Sequence, residues 1–184
     1  MKDIKVSVLI ANYNNEQYLS ECIDSIKKQT YQNVEIIIHD DSSSDNSIKR
    51  INKYKNIKII KNKKRGKYGS YNQMNAYNRA FKISNGEIIF LLDSDDLFSK
   101  NKIKNVINAF SKNKKITSLF DLPIYKYKEK LKFIKNKKKF VSNYWPYIPP
   151  QSCIVIKREE FKKIFNKINF NLFPDIWMDF RIGL

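Results

Sequence analysis

The chain has 184 residues, enough for one domain with a hydrophobic core and few for two. A hydrophobic content of 42% and an aromatic content of 14% exclude an intrinsically disordered protein. No apolar run approaches the roughly 20 residues that span a bilayer, and the first residues lack the apolar region of a signal peptide. Cys22 and Cys153 have no metal-ligand spacing, so we expect two reduced, buried thiols in a cytoplasmic protein.

The net charge of +18 comes from 36 basic and 18 acidic residues. A charge of this size is typical of proteins that bind nucleic acid or an anionic membrane. Most of the excess is lysine, and no recognisable DNA- or RNA-binding motif accompanies it, so we expect no specific nucleic-acid partner. Two interpretations remain, a solvated lysine-rich surface and peripheral contact with the anionic inner face of the cell membrane.

Short apolar runs alternate with helical patterns along the first hundred residues. The runs predict strands at residues 5–11, 34–38, 57–60 and 87–92. Apolar residues at helical spacing predict the helices between them, through Leu19, Cys22, Ile23 and Ile26, through Ile48 and Ile51, and through Met74, Tyr77 and Phe81. Strands that are apolar on both faces and separated by helices predict an α/β fold, with a central, mostly parallel sheet flanked by helices.

The second half continues this pattern less regularly. The predicted elements are a helix through Ile103, Val106, Ile107 and Phe110, a strand near 116–125, a basic loop or hairpin at 126–139, a strand at 152–156, and a helix through Phe161, Ile164, Phe165 and Ile168. No repeat or linker divides the chain, so we expect a single domain over residues 1–184.

Polar residues collect where three predicted strands end. They lie at residues 12–15, 39–45 and 93–96. Ligands of open α/β sheets bind beyond the carboxyl ends of the strands, so these segments are expected to face one crevice.

The segment 93–96 reads Asp-Ser-Asp-Asp. Carboxylates this close repel one another unless a cation or hydrogen-bond donors compensate. Mg²⁺ and Mn²⁺ prefer oxygen ligands, often one or two carboxylates together with phosphate oxygens, and such an ion makes a diphosphate a better leaving group. The alternative interpretation is a turn with helix-capping aspartates.

The segment 40–45 also has two interpretations. Ser44 or Asp45 could cap the following helix. Alternatively, one carboxylate accepts a hydrogen bond from the ring N–H of a nucleobase while the hydroxyl groups surround the nucleotide.

Residues 6–14, 39–45 and 85–96, with their spacing, resemble family 2 glycosyltransferases of the GT-A fold, and residues 69–78 resemble the segment before the fourth strand of that family. The resemblance implies an inverting transferase that moves a sugar from a nucleoside-diphosphate sugar, by resemblance a UDP-sugar, to a hydroxyl of a glycan or lipid-linked acceptor, with Mn²⁺ or Mg²⁺. It divides the domain into a nucleotide-sugar-binding half, about 1–98, and an acceptor-side half, about 99–184.

The resemblance also assigns residues. The nucleotide-sugar contacts would be Ala11, Tyr13, Asp41, Asn78, Asp93 and Ser94, with Asp95 as the metal ligand. Asp41 would meet the base ring N–H and Asp93 the ribose. Many members have an arginine before the matching asparagine, where this chain has Tyr77. Arg65 or Lys67 could supply the missing charge, although a solvated charge run is the simpler interpretation.

The resemblance implies a catalytic base six residues before an arginine. Asp175 has this spacing to Arg181 and follows Pro174, and Asp179 is the second candidate. The base would deprotonate the acceptor hydroxyl, unless the aspartate only caps a helix. In the acceptor-side half, Trp145 or Tyr147 could stack on a sugar, or could simply pack in the core.

Three alternative functions remain open. The first is a truncated or non-catalytic nucleotide-sugar-binding module that needs a partner, because family members usually extend further beyond the position of Arg181. The second is a nucleotidyltransferase. Its related fold would be expected to have a glycine-rich loop after the first strand, where residues 12–15 read Asn-Tyr-Asn-Asn, and the absence of glycine argues against it. A basic nucleic-acid-binding protein is the third, and salt-sensitive binding would identify it.

Overall fold

The computed structural model describes residues 3–127, 130–133 and 150–168. The strands are β1 (Val6–Asn12), β2 (Val34–Asp40), β3 (Ile57–Lys61), β4 (Ile88–Asp93), β5 (Ser118–Phe120), β6 (Ile124–Tyr127), β7 (Lys130–Phe133) and β8 (Ile154–Lys157). The helices are α1 (Glu16–Lys27), α2 (Ser47–Ile51), α3 (Gly69–Lys82), α4 (Lys102–Lys112) and α5 (Arg158–Lys167).

Six of these strands form one sheet in the order β3-β2-β1-β4-β8-β5. The pairs β1–β2, β1–β4 and β2–β3 are parallel, whereas β8 runs antiparallel to β4 and β5. The predicted mostly parallel sheet is therefore confirmed. The register pairs Asn12 with Asp40 and Ala11 with Asp93, so the carboxyl ends of three neighbouring strands lie side by side.

Helices cover both faces of the sheet because the strand residues alternate between two buried clusters. Val8, Ile10 and their neighbours pack against α1, α2 and α4, while Leu9 and Ile37 pack against α3 and α5. Both clusters consist of side chains that are almost wholly removed from water, which is the main stabilising contribution to a domain of this size. Cys22 and Cys153 are free and buried, as predicted.

The structure differs from the prediction around residue 121. The sequence predicts one strand near 116–125, but β5 and β6 belong to different sheets, and β6 pairs with β7 in a separate hairpin. Pro123 has no N–H to donate to a continuous ladder. The β5–β8 pairing ends at Asp121, whose N–H donates to the Cys153 carbonyl at 3.1 Å and whose carboxylate pairs with Lys102 at 2.7 Å.

The strand predicted at 152–156 begins later than expected. A short 3-10 turn at Gln151–Cys153 precedes β8. The predictions for Trp145, Tyr147 and residues 169–184 lie outside the described residues. Within the described ranges, no helix combines the length and the hydrophobicity that a membrane-spanning segment requires.

Candidate functional site

A cavity of about 360 Å³ opens at the carboxyl edge of the sheet, between the ends of β1, β2 and β4 and the first turns of α3. Six of the residues that the sequence selects line it, namely Ala11, Tyr13, Asp41, Asp93, Ser94 and Asp95. Asn78 lies further along α3, half-buried and not among the lining residues. Asp175 lies outside the described residues.

The three aspartates of the turn after β2 have different roles: two bond to other parts of the protein, and one lines the cavity. Asp40 is buried and accepts hydrogen bonds from Asn12 Nδ2 at 2.7 Å and from the Ser43 hydroxyl at 2.6 Å. Asp45 accepts from the backbone N–H groups of Glu16 and Ser47, and so ties the starts of α1 and α2 together. Asp45 therefore accepts a hydrogen bond at the start of α2, as the capping interpretation expects. The N-cap position itself is held by the next residue, Asn46. Asp41 is the carboxylate of this turn that lines the cavity.

Asp41 is held by two neighbours on the loop after β3. It is only 5% exposed, and its Oδ1 accepts a hydrogen bond from Asn62 Nδ2 at 2.9 Å. Arg65 Nε donates to Asp41 Oδ2 at 3.1 Å, and the Arg65 guanidinium carbon lies 3.6 Å from the centre of the Tyr13 ring. Arg65 is exposed, as a solvated charge run would be, but its head group is also engaged with Asp41 and Tyr13 at the cavity wall.

Asp93 is held by α3. Its Oδ1 accepts hydrogen bonds from the Tyr77 hydroxyl at 2.6 Å and from Gln73. Burial raises the pKa of Asp93 to about 6; the hydrogen bond from Tyr77 opposes the rise, and the negative charges of Asp96 and Asp95 add to it. Tyr77, which stands where the resemblance leads one to expect an arginine, is thus a buried donor to this carboxylate.

Asp95 is the exposed carboxylate of the cavity rim. In the described part of the chain no donor bonds to its carboxylate, whereas the neighbouring Asp96 accepts from the Ser152 hydroxyl at 2.6 Å. The described residues contain no group of three or more His, Cys, Asp or Glu side chains that could hold a metal ion. One free carboxylate fits Mg²⁺ or Mn²⁺ bound mainly through diphosphate oxygens and water, which is how these ions are often held.

A second groove, of about 510 Å³, begins on the other side of Asp95. Five large apolar side chains that are at least 45% exposed line it, namely Tyr18, Leu97, Leu122, Ile124 and Tyr125. Asp95 lines both spaces, so a ligand in this groove would lie beside a ligand in the cavity.

Sequence reasoning placed its α3 contact at Asn78 and missed two other residues of that helix. Asn72 and Gln73 line the cavity, and Asn72 also fixes the preceding loop by donating to the Gly66 carbonyl at 2.8 Å. The available signal was the presence of two polar residues on a helix whose other face, Met74, Tyr77 and Ala80, is apolar and buried. Helical periodicity predicted the buried face but not that the polar face would close a cavity.

An open, mostly parallel sheet with a polar cavity at the carboxyl ends of its parallel strands defines an α/β ligand-binding domain. The chain also matches the model of the glycosyl transferase family 2 over residues 7–174. It therefore belongs to family 2 of the glycosyltransferases.

Named relatives agree with this assignment. An uncharacterised glycosyltransferase of Nostoc sp. is 30% identical over 174 residues, which is 88% of this chain and 53% of the relative. The Escherichia coli enzyme WfgD, named a UDP-Glc:alpha-D-GlcNAc-diphosphoundecaprenol beta-1,3-glucosyltransferase, is 37% identical over 61% of this chain and 44% of its own length. The chain thus spans about half the length of these relatives.

Solved structures show the same fold. Staphylococcus aureus TarS, residues 1–349 in complex with UDP, superposes with a TM-score of 0.74 at 20% identity, over 98% of this chain and 54% of that one. The mannosyltransferase PcManGT of Pyrobaculum calidifontis, in complex with GDP-Man and Mn²⁺, superposes with a TM-score of 0.70 at 18% identity, over 96% of this chain and 50% of that one. At these identities the likeness concerns the fold, which is GT-A as predicted.

Proposed function

We propose that this chain is the catalytic GT-A domain of an inverting, metal-assisted glycosyltransferase that uses a nucleoside-diphosphate sugar, specifically a UDP-sugar. One observation carries the proposal. Tyr13 and Asp41 line the same cavity as Asp93 and Asp95, so one ligand could contact an aromatic ring, a buried carboxylate and a carboxylate that is free to bind a metal ion.

The donor fits the cavity with its base towards Tyr13 and Asp41. A nucleobase would stack on the aromatic ring and donate its ring N–H to the carboxylate, while Ala11 borders the base and Asp93 and Ser94 meet the ribose. Supporting this, Asp93 is oriented by donors from α3, and Asn15 Nδ2 donates to the Ser94 hydroxyl at 2.8 Å. WfgD is named for UDP-Glc, and TarS was solved with UDP.

Asp95 would hold the divalent cation on the diphosphate. Bound there, Mn²⁺ or Mg²⁺ supplies Lewis-acid neutralisation of the charge that develops on the departing phosphate oxygen. Asp93 and Asp96 are committed to protein donors, which leaves Asp95 for the ion.

The acceptor would approach from the second groove, because Asp95 lines both spaces. Asp175 is the proposed base that deprotonates the acceptor hydroxyl, and Asn78 stays a proposed donor contact that would need to reach the cavity from the next turn of α3. The acceptor would be a glycan or a lipid-linked glycan, since WfgD is named for a diphosphoundecaprenol acceptor. A chain of net charge +18 would meet such an acceptor at the anionic inner face of the membrane.

A second candidate is a nucleotide-sugar-binding module that requires further protein for turnover. The chain spans 53% and 44% of the two relatives described above, and the activities in their names belong to those longer proteins. Both candidates include the donor site and differ in catalysis.

Titration calorimetry with UDP, GDP and CDP, with and without Mn²⁺, tests the donor site. We expect Mn²⁺-dependent binding of UDP that Asp95→Asn abolishes. Asp3→Asn, which removes an equal charge from an exposed position before β1, should bind like the wild type. Absence of nucleotide binding under every condition would mean that the aspartates are structural, and both candidates would be wrong.

A further inference from the structure

The Arg65 side chain lies inside the proposed nucleobase site. Its guanidinium carbon is 3.6 Å from the centre of the Tyr13 ring, and its Nε donates to Asp41 Oδ2 at 3.1 Å. The three residues line the same cavity. A guanidinium is planar, stacks on aromatic rings and donates N–H groups from its edge. It therefore makes the two contacts that a nucleobase would make with the same ring and the same carboxylate.

The two occupants exclude each other. Atoms in contact lie about 3.5–4.0 Å apart, so a group 3.6 Å from the ring leaves no layer into which a base could enter on that face. Each oxygen of the Asp41 carboxylate already accepts a hydrogen bond as well, because Asn62 Nδ2 donates to the other oxygen at 2.9 Å. A base that stacks on Tyr13 and donates to Asp41 must move Arg65 first.

We propose that Arg65 is an intramolecular occupant of the nucleobase site, which the donor displaces on binding and which returns when the nucleoside diphosphate leaves. The inference rests on the proposed donor site. While the site is empty, the guanidinium neutralises Asp41, a carboxylate only 5% exposed that would otherwise be buried with one neutral donor. Its return would compete with the product for the same two contacts.

The position of Arg65 suits this role. It belongs to the loop between β3 and α3, and its side chain is 36% exposed, so it can leave the ring without unpacking the core. The other bonds of the site do not depend on it. Asn62 would keep its bond to Asp41, and Asn72 would keep the Gly66 carbonyl at 2.8 Å.

The probe is uridine, because it has the base but no phosphate that a displaced arginine could attract. Its affinity is measured by NMR titration for the wild type, Arg65→Ala and Lys64→Ala. Lys64 is exposed on the same loop, and its substitution removes the same charge. The ion pair of Arg65 with Asp41 and its cation–π contact with Tyr13 are both lost on displacement, so we expect Arg65→Ala to bind uridine about 5- to 10-fold more tightly than Lys64→Ala.

Equal or weaker binding by Arg65→Ala would overturn the inference, since a residue that reads the base would lose affinity when removed. Mn²⁺-dependent UDP binding by the wild type is measured in parallel. If UDP binds but Arg65→Ala gains no affinity for uridine, the occupant role is wrong and the donor site stands. If no protein binds uridine or UDP, both are wrong.

Discussion

At the scale of single residues, the site depends on how each carboxylate is paired. Asp40 and Asp45 are committed to backbone and side-chain donors, Asp41 and Asp93 are oriented towards the cavity by neighbours, and Asp95 is free of donors among the described residues. The positions of these aspartates after β2 and β4 could be predicted from the sequence, because strand ends are visible as polar interruptions of apolar runs. Their partners could not, because Asn62, Arg65 and Tyr77 are distant in sequence and only the fold brings them together.

Tyr77→Phe tests the pairing of Asp93. Removing the hydroxyl donor should raise the pKa of Asp93 above about 6, because the ionised form loses its hydrogen bond inside a buried site. A raised folded-state pKa means that stability falls as pH rises from the unfolded value near 4 to the folded value, and stays low above it. Tyr77→Phe should therefore lose about 1.5–3 kcal/mol of unfolding free energy at pH 8 and much less at pH 4.

Urea unfolding of the nucleotide- and metal-free protein at both pH values measures this difference. Tyr31→Phe is the control, because its hydroxyl donates to the Ile4 carbonyl and, at 3.4 Å, to the exposed Asp3, both before β1 and at the opposite end of that strand from Asp93. An equal loss at both pH values for Tyr77→Phe would show that packing, not the charge of Asp93, explains the effect.

At the scale of elements, the first hundred residues could be predicted well and the second half less well. Helices α1, α3 and α4 carry long apolar stripes, and β1, β2 and β4 are buried on both faces, so their periodicity is decisive. The prediction of a single strand in the region of β5 and β6 was wrong, because no periodicity reveals that Asp121 pairs with Lys102 across the fold. Asn72 and Gln73 on α3 were missed because a solvated face and a cavity wall have the same sequence pattern.

The turn before β4 offers a test of packing between elements. A Cβ at Gly86 would collide with the backbone N and hydroxyl of Ser7 on β1, while a Cβ at Gly69 on α3 would meet nothing within 4 Å. Because Gly86 N also donates to the Ser7 hydroxyl at 2.8 Å, the strands cannot separate without losing that bond. We expect Gly86→Ala to lower the unfolding free energy by about 2–3 kcal/mol, and Gly69→Ala to leave it nearly unchanged. Equal stability of the two variants, measured by urea unfolding, would contradict this account of the turn.

At the scale of the whole molecule, the charge of +18 predicts salt-sensitive binding to anionic bilayers. Vesicles of phosphatidylglycerol mixed with phosphatidylcholine should sediment the protein at low salt and release it as salt is added. Vesicles of phosphatidylcholine alone should not retain it. Salt-independent binding, or none to the anionic vesicles, would favour a lysine-rich surface without a membrane role.

The arrangement of the cavity and the groove fits the proposed transfer between two ligands. The cavity and the groove meet at Asp95, and the proposed base Asp175 lies outside the described residues. The family could be recognised from ordered motifs at the strand ends. The sugar and the acceptor could not, because no sequence motif specifies the shape of the second groove.

The most direct test of the central claim is the release of UDP from UDP-glucose and UDP-N-acetylglucosamine with Mn²⁺, for the wild type, Asp95→Asn and Asp175→Asn. Slow transfer to water needs no identified acceptor. We expect the wild type to release UDP from at least one donor, Asp95→Asn to lose both binding and release, and Asp175→Asn to bind UDP normally but release none. UDP binding by the wild type without release from either sugar nucleotide would contradict the claim that this chain is itself catalytic and would favour the binding module.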